Sequence, residues 1–253
     1  MGARFADKVA LVTGASAGIG RTIAIALAKE GATVVVSGRN AEGVAGTVKE
    51  IEALGGSADP ITAEISDAAQ VATLVDEIVR RHGRLDIAVN NAGVLGPRGP
   101  IENISDDEFA DLINTNVVGT WLCMKHEIAR MREQGHGVIV NLGSVIGTAI
   151  SRPGTTAYAT SKAAVAAMTS SAAREHIKDG IRINIVSPGS TDTTMSLLPG
   201  ETVEGRTERL RTAVPIGRVA STDEVTNAVL WLASDESSFT VGHNLVVDGG
   251  AAA

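Results

Sequence analysis

Tyr158 and Lys162 stand four residues apart in the run Tyr158-Ala159-Thr160-Ser161-Lys162, which opens a long segment of helical character. On a helix that spacing puts a phenol and an ammonium on one face, one turn apart. A free phenol has a pKa of about 10 and a lysine of about 10.4. A fixed positive charge beside the phenol favours phenolate, so Tyr158 is expected to titrate nearer neutrality and to exchange a proton with a substrate oxygen. Tyr158 is the only tyrosine in the chain, so no other residue offers a phenol for this work. The same spacing also describes a helix-surface pair of no consequence, and the pair by itself does not decide between the two.

A second constellation lies near the N-terminus. Thr13-Gly14-Ala15-Ser16-Ala17-Gly18-Ile19-Gly20 follows a short apolar run directly and opens a helical stripe through Ile23, Ala26 and Leu27. Gly14, Gly18 and Gly20, with Ser16 between them, allow a tight turn in which backbone N–H groups approach a pyrophosphate at a positive helix end. An ordinary turn has the same composition, but the place between strand and helix is that of a dinucleotide fingerprint. An NAD site calls for a carboxylate roughly 20 residues further on. Here the second strand ends Val36-Ser37-Gly38-Arg39-Asn40, with Gly38 where the acid would stand. A guanidinium binds a 2′-phosphate through paired charged hydrogen bonds, so Arg39 favours NADP(H). NAD(H) remains possible if Arg39 only stacks on the adenine.

The elements that must position these residues can be read from hydrophobic patterning. Short runs rich in Val and Ile fall at Val9–Thr13, Thr33–Ser37, Leu85–Asn90, Val138–Asn141, Ile181–Val186 and Asn244–Val247, with a weaker one at Ala58–Thr62. Most are continuous rather than alternating, as strands covered on both faces are. Helical stripes lie between them. One runs Val71, Leu74, Val75, Ile78, Val79 behind a Ser66-Asp67 cap; others are Val44, Val48, Ile51 and, behind the capping box Ser221–Glu224, Val225, Val229, Leu232. The alternation predicts right-handed βαβ units in one α/β domain spanning the chain: a Rossmann-type, doubly wound parallel sheet of about seven strands with helices on both faces. The longest irregular stretch is Ser187–Pro215, carrying Pro188, Pro199 and Pro215, and it is expected to act as a lid or binding loop over about 190–214.

Composition narrows the partners. The 253 residues carry 22 Lys+Arg and 29 Asp+Glu, a net charge of −7 with no basic run, which argues against nucleic acid. No stretch reaches the roughly 18–20 apolar residues of a membrane span, and the N-terminus shows no secretory h-region. A single cysteine, Cys123, cannot form an internal bridge and suits a reducing, cytoplasmic setting. The five histidines are scattered without metal-ligand spacing, so no metal is expected. Cys123 reads as a packed thiol, and Trp121 and Trp231 as core or subunit-interface anchors.

Taken together, the chain resembles the short-chain dehydrogenases/reductases over nearly its whole length. The matching pieces, in the family's order, are Thr13–Gly20, Asn90-Asn91-Ala92-Gly93, Asn116-Val117-Val118-Gly119, Ser144, Tyr158 with Lys162, Pro188-Gly189 with Thr193, and Val247-Asp248-Gly249-Gly250. The resemblance implies Tyr158 as general acid/base and Lys162 as the residue that lowers its pKa and holds the nicotinamide ribose. It implies Ser144 as hydrogen-bond partner of the substrate oxygen and Asn116 as anchor of a water linking Lys162 to solvent. Ile19, Asn90, Ala92, Gly93, Pro188, Gly189 and Thr193 would line the cofactor site, with Thr193 at the carboxamide. It further implies a homotetramer, with Val247–Ala253 and the helix after Thr222 at an interface.

Some positions depart from the family pattern. Gly143-Ser144 supplies one serine where two are common, Thr191 stands in place of Ile or Val, and Glu64-Ile65 replaces Asp-Val beside the adenine. The reaction implied is interconversion of a secondary alcohol and a ketone; the alternatives are a 3-oxoacyl thioester reductase and, in another class, a dinucleotide-binding sensor without turnover. Val94–Glu102, Val145–Ala157 and Ser190–Val214 should shape a mildly apolar pocket for a hydrophobic or cyclic small molecule. Arg98 and Arg152 fall in those loops, where they meet either an anionic substrate or solvent. Arg130, Arg132 and Arg174 on helices are weaker candidates for contact with an acyl carrier protein.

Overall fold

Strand β1, Val9–Thr13, is buried at all five positions, and its continuous apolar sequence is what a strand covered by helices on both faces requires. The structure is a computed structural model describing residues 3–198, 200–211 and 213–253; Met1, Gly2, Pro199 and Thr212 lie outside it. Helix α1 (Gly18–Lys29) leads to β2 (Thr33–Gly38), α2 (Ala41–Ala53), β3 (Ser57–Thr62), α3 (Ala68–His82) and β4 (Ile87–Asn90). Then come α4 (Asp106–Ile113), α5 (Gly119–Gln134), β5 (Gly137–Leu142), the single turn α6 (Val145–Thr148) and α7 (Thr156–His176). The chain ends with β6 (Ile181–Pro188), α8 (Val203–Arg211), α9 (Thr222–Ala233) and β7 (Asn244–Val247).

The seven strands form one parallel sheet in the order β3-β2-β1-β4-β5-β6-β7. The chain winds outward from β1 to β3 and then returns to place β4 on the other side of β1. Reversal of direction there leaves a crevice at the carboxyl ends of β1 and β4, where open α/β sheets bind ligands. Two apolar layers flank the sheet. One joins α1, α2 and α9 through Ile23, Leu27, Val44 and Val229; the other joins α3, α5 and α7 through Leu74, Ile78, Met131 and Ala173.

Local signals place the helices. Asp67 accepts from Ala69 N and Gln70 N to start α3, and Ser221 with Glu224 forms a reciprocal capping box on α9. Several strand ends lie one or two residues from the sequence expectation, and β4 begins at Ile87 instead of Leu85. Leu85 stands outside β4 because its backbone N–H and carbonyl both bond the Gln134 side chain, at 2.8 and 2.9 Å. The stretch Ser187–Pro215 is less irregular than its prolines and glycines suggested: β6 runs through Pro188, a short turn covers Thr194–Ser196, and Val203–Arg211 is helix α8. Arg206, itself buried, ties α8 down by reaching Asp192 Oδ1 at 2.8 Å, Ser196 Oγ at 3.0 Å and the Thr193 carbonyl at 3.4 Å. Contacts this distant in sequence leave no local pattern.

Candidate active site

At the crevice, β1 and β4 are stitched by side chains. Thr13 Oγ1 accepts from the backbone N–H groups of Asn91 (3.1 Å) and Ala92 (3.2 Å). In return, Asn91 Nδ2 donates to the carbonyls of Thr13 (3.0 Å) and Gly14 (3.1 Å). This explains two of the three glycines more directly than ligand approach does. A Cβ on Gly14 would stand 2.9 Å from Asn91 Nδ2, and one on Gly20 would collide with the same amide. Gly18 differs: with φ +55 and only Thr193 Cγ2 at 3.5 Å, it faces the crevice. The N-cap of α1, Ala17, provides no side-chain acceptor and the first turn has no acid, so the N–H groups there keep their affinity for an anion. Among the described residues this is a cradle that fits a dinucleotide pyrophosphate.

Two cavities meet here. One of about 330 Å³ runs along Gly14, Ser16, Gly18, Gly38, Arg39 and Ala92. The other, of about 540 Å³, holds Ser144, Tyr158, Lys162, Pro188 and Gly189. Ile19, Asn91, Gly93, Val94, Thr193 and Met195 line both, so the two form one continuous cleft. Gly20 supports the glycine turn from beneath it.

One expected lining residue turns elsewhere. The Asn90 side chain faces inward, away from the cleft, where Nδ2 donates to Glu127 Oε2 (2.9 Å) and to Asn141 Oδ1 (3.0 Å) on the neighbouring strand. The alternation of side chains along β4 gives Asn90 to the interior and leaves Asn91 for the crevice. The network continues from Asn141 Nδ2 to Thr169 Oγ1 at 2.8 Å. Glu127 is fully buried, and burial pushes its carboxyl up to about 7, opposed only by the Asn90 hydrogen bond. Its second oxygen has no hydrogen-bond partner among the described residues. Sequence reading passed over this acid, though its place between Cys123 and Met131 at spacings of four marks it as lying on the buried face.

In the larger cavity, β5 delivers Ser144 and α7 delivers Tyr158 and Lys162, all three buried. Ser144 Oγ caps the next turn by accepting from Ile146 N at 3.1 Å, which leaves its O–H free to donate into the cavity. Lys162 Nζ donates to the Leu142 carbonyl at 2.9 Å and stands 5.8 Å from the centroid of the Tyr158 ring. The expected acidification of the phenol is not seen. Burial raises Tyr158 above its ordinary value, with the nearby Ser144 hydroxyl pulling the other way. Burial also lowers Lys162 to about 8. Loss of water weakens both charged forms, and the sequence spacing could not show that.

Asn116 lies in a π-helical stretch, Asn114–Val118, between α4 and α5. Its amide is committed at both ends: Oδ1 accepts from Val94 N at 2.8 Å, and Nδ2 donates to Val94 O at 2.8 Å and Ser161 Oγ at 3.1 Å. This pins the loop after β4 beside α7. Arg39 is exposed and pairs with Glu64 at 3.3 Å. The Glu64 carboxyl sits below its usual range because Ser66 hydrogen bonds and Arg39 outweigh its burial. Of the basic helix residues, Arg130 pairs with Glu133 and Arg132 with Asp179. Cys123 is buried, and burial raises its thiol well above the ordinary value, as a packed residue requires. Trp121 is not a core residue, being 58% exposed on α5.

Comparison with known proteins agrees with this arrangement. A family model described as enoyl-(acyl carrier protein) reductase matches residues 14–252. Cis-4-hydroxycyclohexanecarboxylate dehydrogenase of Sinomonas cyclohexanicum is 39% identical over 250 residues, covering 99% of this chain and 98% of that protein. A 3-oxoacyl-[acyl-carrier-protein] reductase of Thermotoga maritima is 37% identical over 248 residues, covering 98% of both. Among solved structures, a gluconate 5-dehydrogenase from Burkholderia cenocepacia in complex with NADP and tartrate superposes with a TM-score of 0.92 at 33% identity, covering 98% of this chain and 96% of that one. The sheet, the glycine crevice and the Ser144–Tyr158–Lys162 cluster therefore have one explanation: the chain belongs to the short-chain dehydrogenase/reductase family.

Proposed function

We propose that the protein is an NADP(H)-dependent oxidoreductase interconverting a secondary alcohol and a ketone, with Tyr158 as general acid/base. The observation that carries this reading is the opening of one cleft onto both the glycine cradle and the buried Ser144, Tyr158 and Lys162. A bound nicotinamide supplies or accepts the hydride. Tyr158 Oη takes the hydroxyl proton as the alcohol is oxidised and returns it when the ketone is reduced. Ser144 donates its free O–H to the substrate oxygen, where negative charge develops. Lys162 spends one of its three donors on Leu142 and keeps two for the cofactor's ribose hydroxyls. A positive charge brought this close favours the tyrosinate during turnover. With its amide committed, Asn116 positions the Val94 loop, and its backbone carbonyl, which also accepts from Thr120 Oγ1 at 2.8 Å, is the group that would hold a relay water.

Gly14, Ser16, Gly18, Ile19, Ala92 and Gly93 line the cofactor cleft in this reading, Gly20 supports its turn, and Pro188, Gly189 and Thr193 stand at its nicotinamide end. Arg39 gives the preference for NADP(H), meeting the 2′-phosphate after exchanging its Glu64 partner. The segment 190–214, with α8, covers the substrate. A mildly apolar cavity wall and the Sinomonas relative favour a small cyclic alcohol or ketone. The second reading, a 3-oxoacyl thioester reductase, is favoured by the Thermotoga relative. A homotetramer has support from the exposed apolar groove of Val117, Val118, Trp121, Ala167 and Met168, on the π-helical stretch, α5 and α7. The buried, unpaired Cys123 suits the cytoplasm.

The test is reduced-nicotinamide absorbance with both cofactors across cyclic alcohols, their ketones, cis-4-hydroxycyclohexanecarboxylate and acetoacetyl thioesters. Turnover of cyclic alcohols with NADP⁺ supports the reading, and faster reduction of thioesters replaces it with the second. Silence across the whole panel leaves a dinucleotide sensor.

A further inference from the structure

Arginines in this protein are nearly all occupied. Twelve of the sixteen pair with an acid. Arg182 gives its guanidinium to the carbonyls of Leu232 and Ser234 and to Ser237 Oγ. The guanidinium groups of Arg98, Arg152 and Arg174 have no hydrogen-bond or ion-pair partner among the described residues, and two of these three residues, Arg98 and Arg152, line the cavity that holds Ser144 and Tyr158.

They come from different loops, one after β4 and one after β5, yet the structure places the two loops side by side. Gly99 N donates to the Gly154 carbonyl at 3.1 Å. A Cβ built on Gly154 would stand 3.6 Å from Gly99 N, and both glycines have positive φ, at 146 and 72. Arg98 directly precedes one end of this bond and Arg152 lies two residues before the other. The Arg152 turn is itself pinned, because Thr155 Oγ1 donates to the Arg152 carbonyl at 2.7 Å. The two loops abut, and in a chain of net charge −7 no acid among the described residues pairs with either guanidinium. The neighbouring wall is apolar, with Leu95, Val145, Ile146 and Leu210. Such a pocket takes an apolar body fixed by a few polar groups.

Resting on the oxidoreductase reading of this site, we propose that Arg98 and Arg152 form a clamp for a carboxylate, so that the substrate is a hydroxy acid or its oxo acid with an apolar body between the two functions. The planar guanidinium fork matches a carboxylate in two parallel charged hydrogen bonds. Tyr158 and Ser144 engage the alcohol or ketone oxygen, while the clamp holds the other end and sets which carbon is presented.

Titration calorimetry on the NADP⁺-bound protein tests the clamp with unreactive probes, cyclohexanecarboxylate and cyclohexanecarboxamide. The acid should bind roughly tenfold or more tightly than the amide, since two charge-assisted contacts distinguish them. Arg98→Gln and Arg152→Gln should each remove part of that preference and the double variant all of it. Equal binding of acid and amide by the unaltered protein, or an acid preference surviving in the double variant, would overturn the proposal. Tighter binding of 4′-phosphopantetheine than of the acid, lost in the same double variant, would reassign the pair to a phosphate and overturn it too. Because the probes carry neither alcohol nor ketone, binding reads the clamp alone and turnover reads the catalytic assignment, so either can fail without the other.

Discussion

Lys162 Nζ holds the backbone carbonyl of Leu142 at 2.9 Å, anchoring α7 to the end of β5 from inside the protein. Leu142 stands two residues before Ser144, so one buried ammonium sets both the helix that carries Tyr158 and the strand end that carries Ser144. The bond fixes geometry, but burial makes the charge costly.

That cost gives a test of stability against function. The pKa of Lys162 is about 8 in the fold against an ordinary 10.5. A lowered lysine pKa means the unfolded chain binds the proton more tightly, so this group's contribution is complete above 10.5 and lost as pH falls through about 8. Lys162→Met should therefore be more stable than the unaltered protein at neutral pH and melt at a higher temperature, with a free-energy gain of up to an amount on the order of 3 kcal/mol, less the loss of the Leu142 bond. The same variant should lose alcohol oxidation by at least about 100-fold. Thermal melts and initial rates on one preparation check both signs.

Glu127 supplies the opposite sign. Its carboxyl titrates at about 7 in the fold against an ordinary 4.5. The folded state binds the extra proton, so stability from this group is complete below 4.5 and lost as pH rises through about 7. Urea melts of Glu127→Gln should show the variant gaining on the unaltered protein between those pH values, toward a difference on the order of 3 kcal/mol. A difference independent of pH would mean the carboxyl is ionised in the fold.

The proposed preference for NADP(H) is tested at Arg39 and Glu64. Arg39→Ala should weaken NADP(H) binding by roughly tenfold or more and leave NAD(H) within about twofold, because only the phosphate loses charged hydrogen bonds. Glu64→Gln should tighten NADP(H), since the guanidinium no longer has a competing carboxylate 3.3 Å away. Fluorescence titration with both dinucleotides measures this, and tighter NAD(H) binding by the unaltered protein would contradict the assignment.

Asn91 offers a structural test of the crevice. Asn91→Ala removes the bonds to Thr13 and Gly14 carbonyls and should cost about 1–3 kcal/mol in stability. It should also raise the KM for cofactor, with the Gly14 turn no longer held. Gly20→Ala should be worse, because its methyl would strike the Asn91 amide.

The strands, the glycine turn and the caps at Asp67 and Ser221 were legible in the sequence because each is fixed by neighbours in the chain: unbroken apolar runs, helical stripes and capping side chains. What was not legible depends on contacts made across the fold. Asn90 and Asn91 are the same residue type, and only the pairing of β4 with β1 and β5 shows which one turns inward. Helix α8 hid among prolines and glycines because Arg206 holds it from beneath. The Tyr158–Lys162 spacing encodes a shared helical face, but the electrostatics of the pair depend on burial, which spacing does not encode.

The central claim is that Tyr158 moves the proton. Steady-state oxidation of a turned-over alcohol by Tyr158→Phe, with dinucleotide binding measured alongside, tests it most directly. The account predicts a fall in kcat of roughly 10²–10⁴-fold with cofactor affinity within about twofold, since only the phenolic oxygen is removed. A kcat within twofold of the unaltered enzyme would contradict it.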